Sequence, residues 1–253
     1  MNLKQKIQAG QTLFTAWSSI PDPLTAGAFA VTDFDAVTLD MQHGGHSDDS
    51  VLRSIGPVIQ NGAHAVVRVP VGRFDMASRA LDFGAEAVIA PMINTLDDAK
   101  AFADAIKYPP LGERSWGPGR AMAFHGYSDF NTYLKEANGI CLAIAMVETL
   151  EALENLDAFL GMDGIDGIFV GPGDFSIAWT NGAHYNPKND AMTETLRDVA
   201  GRCREAGKFA GNFGSDAAHA RFLAGLGYQF VAIGTDVSCI KGGANALVAG
   251  ARG

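Results

Sequence analysis

Four short stretches carry the residues from which chemistry can be built. They are Asp40-Met41-Gln42-His43, Arg68 within Val66-Val67-Arg68-Val69, Glu148 after Ala145-Met146-Val147, and Asp174 closing Gly171-Pro172-Gly173-Asp174. Glu148 and Asp174 offer hard oxygen donors with few other ligating side chains nearby in sequence, a pattern that suits Mg²⁺ or Mn²⁺, with Co²⁺ as a further candidate. Such an ion polarises a ketone as a Lewis acid, and Arg68 can add positive charge where an enolate oxygen develops. His43 supplies a base whose ordinary pKa lies near neutral pH. The backbone N–H groups of the Gly171–Asp174 turn, opening a helix, can hold a carboxylate. Taken singly, each residue has a plainer role. Asp174 reads equally as a helix N-cap, Glu148 as half of a surface ion pair and His43 as a structural imidazole. Arg68 is harder to dismiss, because a guanidinium inside an apolar strand requires an anion. The combination carries the reading.

These residues are useful only if the elements beneath them end together. Short β-branched or apolar runs recur at Leu13–Trp17, Ala36–Leu39, Ala65–Val69, Ala87–Ala90, Ile140–Val147, Gly167–Val170, Phe209–Asn212 and Phe230–Ile233. Between them lie segments with helical spacing, such as Val51, Ile55, Val58 and Ile59, or Leu150, Leu153, Leu156 and Phe159. Regular alternation predicts a parallel sheet, and eight units predict closure into one α/β domain over residues 1–253, a (β/α)8 TIM barrel. The 253-residue length suits one such barrel. In this fold the active site lies at the C-terminal ends of the strands, where all four stretches fall. The irregular segment Lys107–Asn138 is expected to lie over that same face.

Composition narrows the partners. A net charge of −9 argues against binding a nucleic-acid backbone, which needs clustered Lys and Arg. No run approaches the roughly 18 apolar residues of a membrane span, and residues 1–10 show no secretory signal. Cys141, Cys203 and Cys239 lack paired spacing and read as buried thiols, so a cytoplasmic location is expected.

With these residues in place, the chain resembles the class II pyruvate aldolases of the HpcH/HpaI aldolase family along nearly its whole length. The resemblance runs from Trp17 and Phe34-Asp35 through Asp40 with His43, Val67-Arg68-Val69-Pro70, Leu81-Asp82-Phe83-Gly84-Ala85 and Ala90-Pro91-Met92. It continues through Tyr108-Pro109-Pro110 with Gly112 and Arg114, Val147-Glu148-Thr149, Gly167-Ile168-Phe169-Val170-Gly171-Pro172 with Asp174, and Ala232-Ile233-Gly234-Thr235-Asp236. It implies a barrel of the phosphoenolpyruvate/pyruvate-domain kind and catabolic cleavage of a 4-hydroxy-2-oxo acid to pyruvate, or a close 2-oxo acid, and an aldehyde. It implies a divalent metal on Glu148 and Asp174, Arg68 at the keto oxygen, and His43 with Asp40 and Asp82 near a proton-relaying water. Trp17, Gly171, Pro172, Gly173, Asp174 and Thr235 are implied substrate contacts. A homohexamer with exchanged last helices is implied as well.

The chain departs from the family at Gln42, where Glu is usual, at Met146, where many members have Gln, and at Arg114-Ser115-Trp116, where Arg-Gly is usual. Alternatives remain. A Schiff-base aldolase needs a desolvated lysine at a strand end, and none of the lysines falls there. A citrate-lyase-like acyl-CoA lyase or thioesterase would need a site for the CoA phosphates, and a non-catalytic 2-oxo-acid-binding barrel would not need His43. The aldehyde stays open: Arg73, Arg114 and Arg120 could each choose among acceptors, and His46 and His125 could each reach the mouth.

Overall fold

A computed structural model describes residues 1–253. The strands are β1 (Leu13–Ser18), β2 (Ala36–Asp40), β3 (His64–Arg68), β4 (Ala87–Ala90), β5 (Leu142–Val147), β6 (Gly167–Val170), β7 (Phe209–Gly214) and β8 (Phe230–Thr235). They pair in parallel and in sequence order, and β8 returns to β1 to close the barrel. Strands buried on both faces need near-continuous apolar sequence, which is why these runs stood out. Their inward side chains, among them Val66, Ile89, Ile144, Phe169 and Phe230, form an inner core. Gly211 leaves room for the Phe169 ring, since a Cβ there would lie 2.6 Å from it. The outward side chains, among them Val37, Val67, Val88 and Val170, pack with the surrounding helices in a larger second core.

The helices are α1 (Leu3–Gln8), α2 (Pro23–Ala30), α3 (Asp48–Gln60), α4 (Phe74–Phe83), α5 (Leu96–Ile106), α6 (Gly119–His125) and α7 (Phe130–Ile140). They continue with α8 (Leu150–Glu154), α9 (Leu156–Leu160), α10 (Pro172–Trp179), α11 (Thr193–Glu205), α12 (Ala217–Leu226) and α13 (Asp236–Arg252). The first helix closes the barrel from below: Leu3 and Ile7 join the inner core, and the Leu3 N–H donates to Glu86 at 2.9 Å. The last stands apart. Only its first residue, Asp236, is buried, and Val237, Ile240, Leu247 and Val248 expose apolar surface.

Three expectations need correction. Residues 107–138 do not cover the C-terminal face. They follow α5, which carries the chain back to the other end, so they wrap the N-terminal rim and the flank of α3 and α4. There the buried Lys107 Nζ donates to the Cys141 carbonyl at 2.5 Å and to Asp166 at 2.6 Å. Helix α7 also continues through Ile140, which delays β5 to Leu142. Among the thiols, Cys141 and Cys203 are buried, but Cys239 on α13 is exposed. No helix is long and apolar enough to cross a membrane.

Candidate active site

The strand ends converge on a cavity of about 330 Å³ at the C-terminal mouth. Register sets its first pair, because Asp40 ends β2 opposite Arg68 at the end of β3. Their side chains meet in a two-pronged pair, Nε to Oδ1 at 2.9 Å and Nη2 to Oδ2 at 2.7 Å. The guanidinium carbon lies 4.8 Å from the centre of the Trp17 ring, whose Nε1 also donates to Asp40 at 3.1 Å. This fork and stack hold Arg68 in one orientation, which a lysine could not reproduce. Its Nη1 is left without a protein partner. Burial opposes the charge on Asp40, but the hydrogen bonds and charge of Arg68, with help from Trp17 and Gln42, outweigh it and hold the carboxyl below its ordinary value. The Asp40 carboxylate also accepts from the backbone N–H of Gln42 at 3.0 Å and of His43 at 3.3 Å, so it shapes the turn that carries His43.

Glu148 follows β5 and is almost wholly buried, with 2% of its surface exposed. Its Oε1 accepts from the Met92 N–H at 2.8 Å. Met92 adopts a positive φ of 53°, an uncommon conformation for a non-glycine residue and one often found at functional sites. Oε2 has no protein donor and lies against Gly171, where a Cβ would come within 2.1 Å of it. Any side chain at position 171 would fill that space. Burial pushes the Glu148 carboxyl up to about 7; the Met92 N–H and Arg68 pull it back in part, while Asp174 raises it further. The pair therefore holds more negative charge than the chain neutralises. No group of three or more His, Cys, Asp and Glu side chains is placed to hold a metal. Two carboxylates with open space beside them suit a hard divalent cation that keeps waters and accepts a chelating ligand.

Trp17, Asp40, His43, Arg68, Glu148, Gly171, Pro172, Gly173, Asp174 and Thr235 all line this cavity. Helix α10 starts here, with Gly171 as N-cap and Pro172 in the first turn, so the N–H groups of Gly173 and Asp174 lack intrahelical acceptors. The His43 ring is exposed and makes no protein hydrogen bond. Asp82 is the exception. It ends α4 at the N-terminal rim, where its carboxylate takes Arg114 Nη2 at 2.5 Å, so one chain does not bring it to the mouth. Burial raises its pKa, an effect Arg114 partly offsets. His125 also lies away, its ring on the Gly84 carbonyl at 3.1 Å, and His46 sits behind the mouth between Ser18 and Ser50. No lysine lines the cavity. Ser19, Phe169, Tyr185, Pro187, Phe213 and Ser215 line it without having been singled out. Their position near strand ends was the available signal for Ser19, Phe169, Phe213 and Ser215; nothing marked Tyr185 or Pro187.

A closed barrel with a carboxylate pair, a fixed guanidinium and a free imidazole at its mouth defines an enzyme of the aldolase-lyase type. The chain belongs to the HpcH/HpaI aldolase/citrate lyase family, whose model matches residues 13–241. It is 34% identical to a hydroxypyruvate/pyruvate aldolase of Rhizorhabdus wittichii over 96% of this chain and 95% of that protein. It is 31% identical to a 4-hydroxy-2-oxo-heptane-1,7-dioate aldolase of Salmonella arizonae, over 97% and 92% of the two chains. A solved family member from Burkholderia cenocepacia superposes with a TM-score of 0.88 over 99% of both chains at 27% identity.

Proposed function

We propose that the chain cleaves a 4-hydroxy-2-oxo acid to pyruvate, or a close 2-oxo acid, and an aldehyde, and catalyses the reverse addition, with a divalent metal at Glu148 and Asp174. The observation that carries this is the carboxylate pair, unneutralised by the protein and adjacent to an oriented Arg68. A divalent ion there, Mg²⁺ or Mn²⁺, would polarise the keto group as a Lewis acid. The N–H groups of Gly173 and Asp174 hold the substrate carboxylate at a helix N-terminus. Arg68 Nη1 faces the keto oxygen, and Asp40 and Trp17 keep it there. His43 takes the proton from the 4-hydroxyl as the C3–C4 bond breaks. The bonding pair passes to C3–C2 and onto the oxygen beside Arg68, the aldehyde departs, and the proton is returned to C3. Because Arg68 meets more charge in the transition state than in the ground state, it speeds the step rather than only tightening binding. The relatives named above act on compounds that share the 2-oxo-acid unit, which supports this donor.

Chelation should abolish both cleavage and the exchange of pyruvate methyl protons in D₂O, and added Mg²⁺, Mn²⁺ or Co²⁺ should restore them. Full activity in chelator together with borohydride trapping of a substrate adduct would overturn the reading.

We also propose a cytoplasmic homo-oligomer, hexameric as the family resemblance implies, in which α13 packs on a neighbouring barrel. The exposed apolar residues along that helix support it. A monomeric mass in light scattering at micromolar concentration would refute the assembly.

A further inference from the structure

The cavity's lining is more apolar than polar, with a few hydroxyls, and carries no free cation. Its wall is built from Tyr185, Pro187, Phe213 and Ser215, with Ser19 and Thr235 adding hydroxyls. The only charged side chains that line the cavity are Asp40, Arg68, Glu148 and Asp174, and Arg68 is already paired with Asp40. A divalent ion would bring this set only to neutrality, and the carboxylate of the 2-oxo acid would make it negative again. The cations nearest the rim are spent elsewhere. Lys188, next to Pro187, is paired with Asp216 at 2.5 Å and lines a separate cleft, and Arg73 is forked onto Asp75 at 2.9 and 2.8 Å. Arg114 is tied to Asp82, and Arg120 donates to the Leu52 and Phe83 carbonyls outside the barrel.

Ser215 is held in place from behind. Its Oγ lies 3.2 Å from His219 Nδ1, and its backbone N–H donates to the same nitrogen at 3.3 Å. Nδ1 is therefore an acceptor, so the serine hydroxyl donates to it and keeps its lone pairs for a donor in the cavity. Burial, with Lys188 nearby, lowers the His219 pKa and favours this neutral ring.

We propose that the aldehyde this site takes and releases is uncharged and hydroxylated, and that Ser215 helps select it by accepting a hydrogen bond from the aldehyde's hydroxyl. The inference rests on the 2-oxo-acid aldol reading given above and names the other half of that reaction. A second carboxylate on the aldehyde would enter a mouth that has no charge left to meet it, and like-charge juxtaposition is an effective means of rejection. A hydroxyl finds Ser215 already oriented.

The test compares aldol addition of pyruvate to glyceraldehyde, propionaldehyde and succinic semialdehyde with the metal-loaded protein. The kcat/KM for glyceraldehyde should exceed that for succinic semialdehyde by at least about tenfold. Ser215→Ala should cut the preference for glyceraldehyde over propionaldehyde by about two- to tenfold, the worth of one hydrogen bond. Ser215→Arg, which installs the missing cation, should raise the use of succinic semialdehyde relative to glyceraldehyde. Equal or better use of succinic semialdehyde by the unaltered protein would overturn the proposal, as would an undiminished preference in Ser215→Ala. Methyl-proton exchange of pyruvate without aldehyde separates the two levels. Exchange with the wrong acceptor preference sinks this proposal alone, whereas no exchange under any metal sinks it together with the reaction it rests on.

Discussion

At the N-terminal rim of the barrel, buried groups meet partners: Lys107 lies 2.6 Å from Asp166 and Arg114 2.5 Å from Asp82, and the His64 ring is hydrogen-bonded to Glu86 at 2.7 Å. At the C-terminal mouth, Arg68 and Asp40 follow the same rule, but Glu148 and Asp174 face a shared space with no cation of their own. The fold thus handles charge in two ways. Pairing is what a buried charge requires for stability, so the pair left unmatched supports the cation site proposed above. Both ends are rich in charge, and only the balance of charge tells them apart.

The comparison breaks if substitutions at the two ends have the same kind of effect. Glu148→Gln should reduce cleavage on the order of 10²–10³-fold, through loss of several kcal/mol of charge stabilisation, without lowering the melting temperature of the metal-free protein. Lys107→Met should do the reverse. It strands Asp166 and should cost about 3 kcal/mol of unfolding free energy, the low end for a broken buried pair because Lys4 remains 3.0 Å from the same carboxylate. Its activity at low temperature should stay near that of the parent. Rate assays and urea melts on both variants decide it, and a Glu148→Gln protein that is both inactive and strongly destabilised would erase the contrast.

A smaller effect comes from two glutamates with opposite responses to pH. Burial pushes the Glu86 carboxyl up, but the His64 hydrogen bond and charge, with the Leu3 N–H, bring it below its ordinary 4.5. The folded chain binds that proton less readily than the unfolded chain. Its stabilisation is therefore present above about pH 4.5 and is lost as pH falls through the lowered value. Glu148, raised from 4.5 to about 7, behaves the other way. Its contribution is complete below about pH 4.5 and is lost as pH rises to about 7. The metal-free protein should lose on the order of 1–3 kcal/mol from this group between about pH 5 and about pH 8, a loss absent in Glu148→Gln. Divalent metal should reverse it, since only the carboxylate form binds. Melting temperatures from about pH 3 to about pH 8, with and without metal, test both signs, the acid end reading Glu86 and the range above about pH 5 reading Glu148.

The barrel was legible because its strands are apolar on both faces, and the misplaced edges have simple causes. His64 opens β3, but its polarity hid it from a reading based on apolar runs, and its partner Glu86 is 22 residues away. Residues 107–138 lie away from the C-terminal face because α5, whose buried stripe is Ala99, Phe102, Ala103 and Ile106, first returns the chain to the other end. At the site, strand ends located Asp40, Arg68, Glu148 and Asp174. What the sequence could not convey was pairing across strands. Asp40 read as part of the proton relay, yet its side chain is engaged with Arg68 and Trp17, and the His43 turn hangs from it by backbone hydrogen bonds. The resemblance implies Asp82 at the site, and within one chain it lies at the other end of the barrel, paired with Arg114. The wall formed by Tyr185 and Pro187 comes from a loop without helical or strand periodicity, so no pattern announced it.

The first helix, with Leu3 and Ile7 pressed into the barrel's lower core, has a consequence for the timing of the reaction. With the floor sealed, a 2-oxo acid lodged beneath an aldehyde has one doorway, and the aldehyde stands in it. On the reaction proposed above, this predicts a queue: the aldehyde leaves first and the 2-oxo acid last. In synthesis the 2-oxo acid arrives before the doorway fills, an order that product-inhibition kinetics would read. The six-residue helix adds Leu3 and Ile7 to an interior already filled by strand side chains, which leaves the mouth as the way in and out.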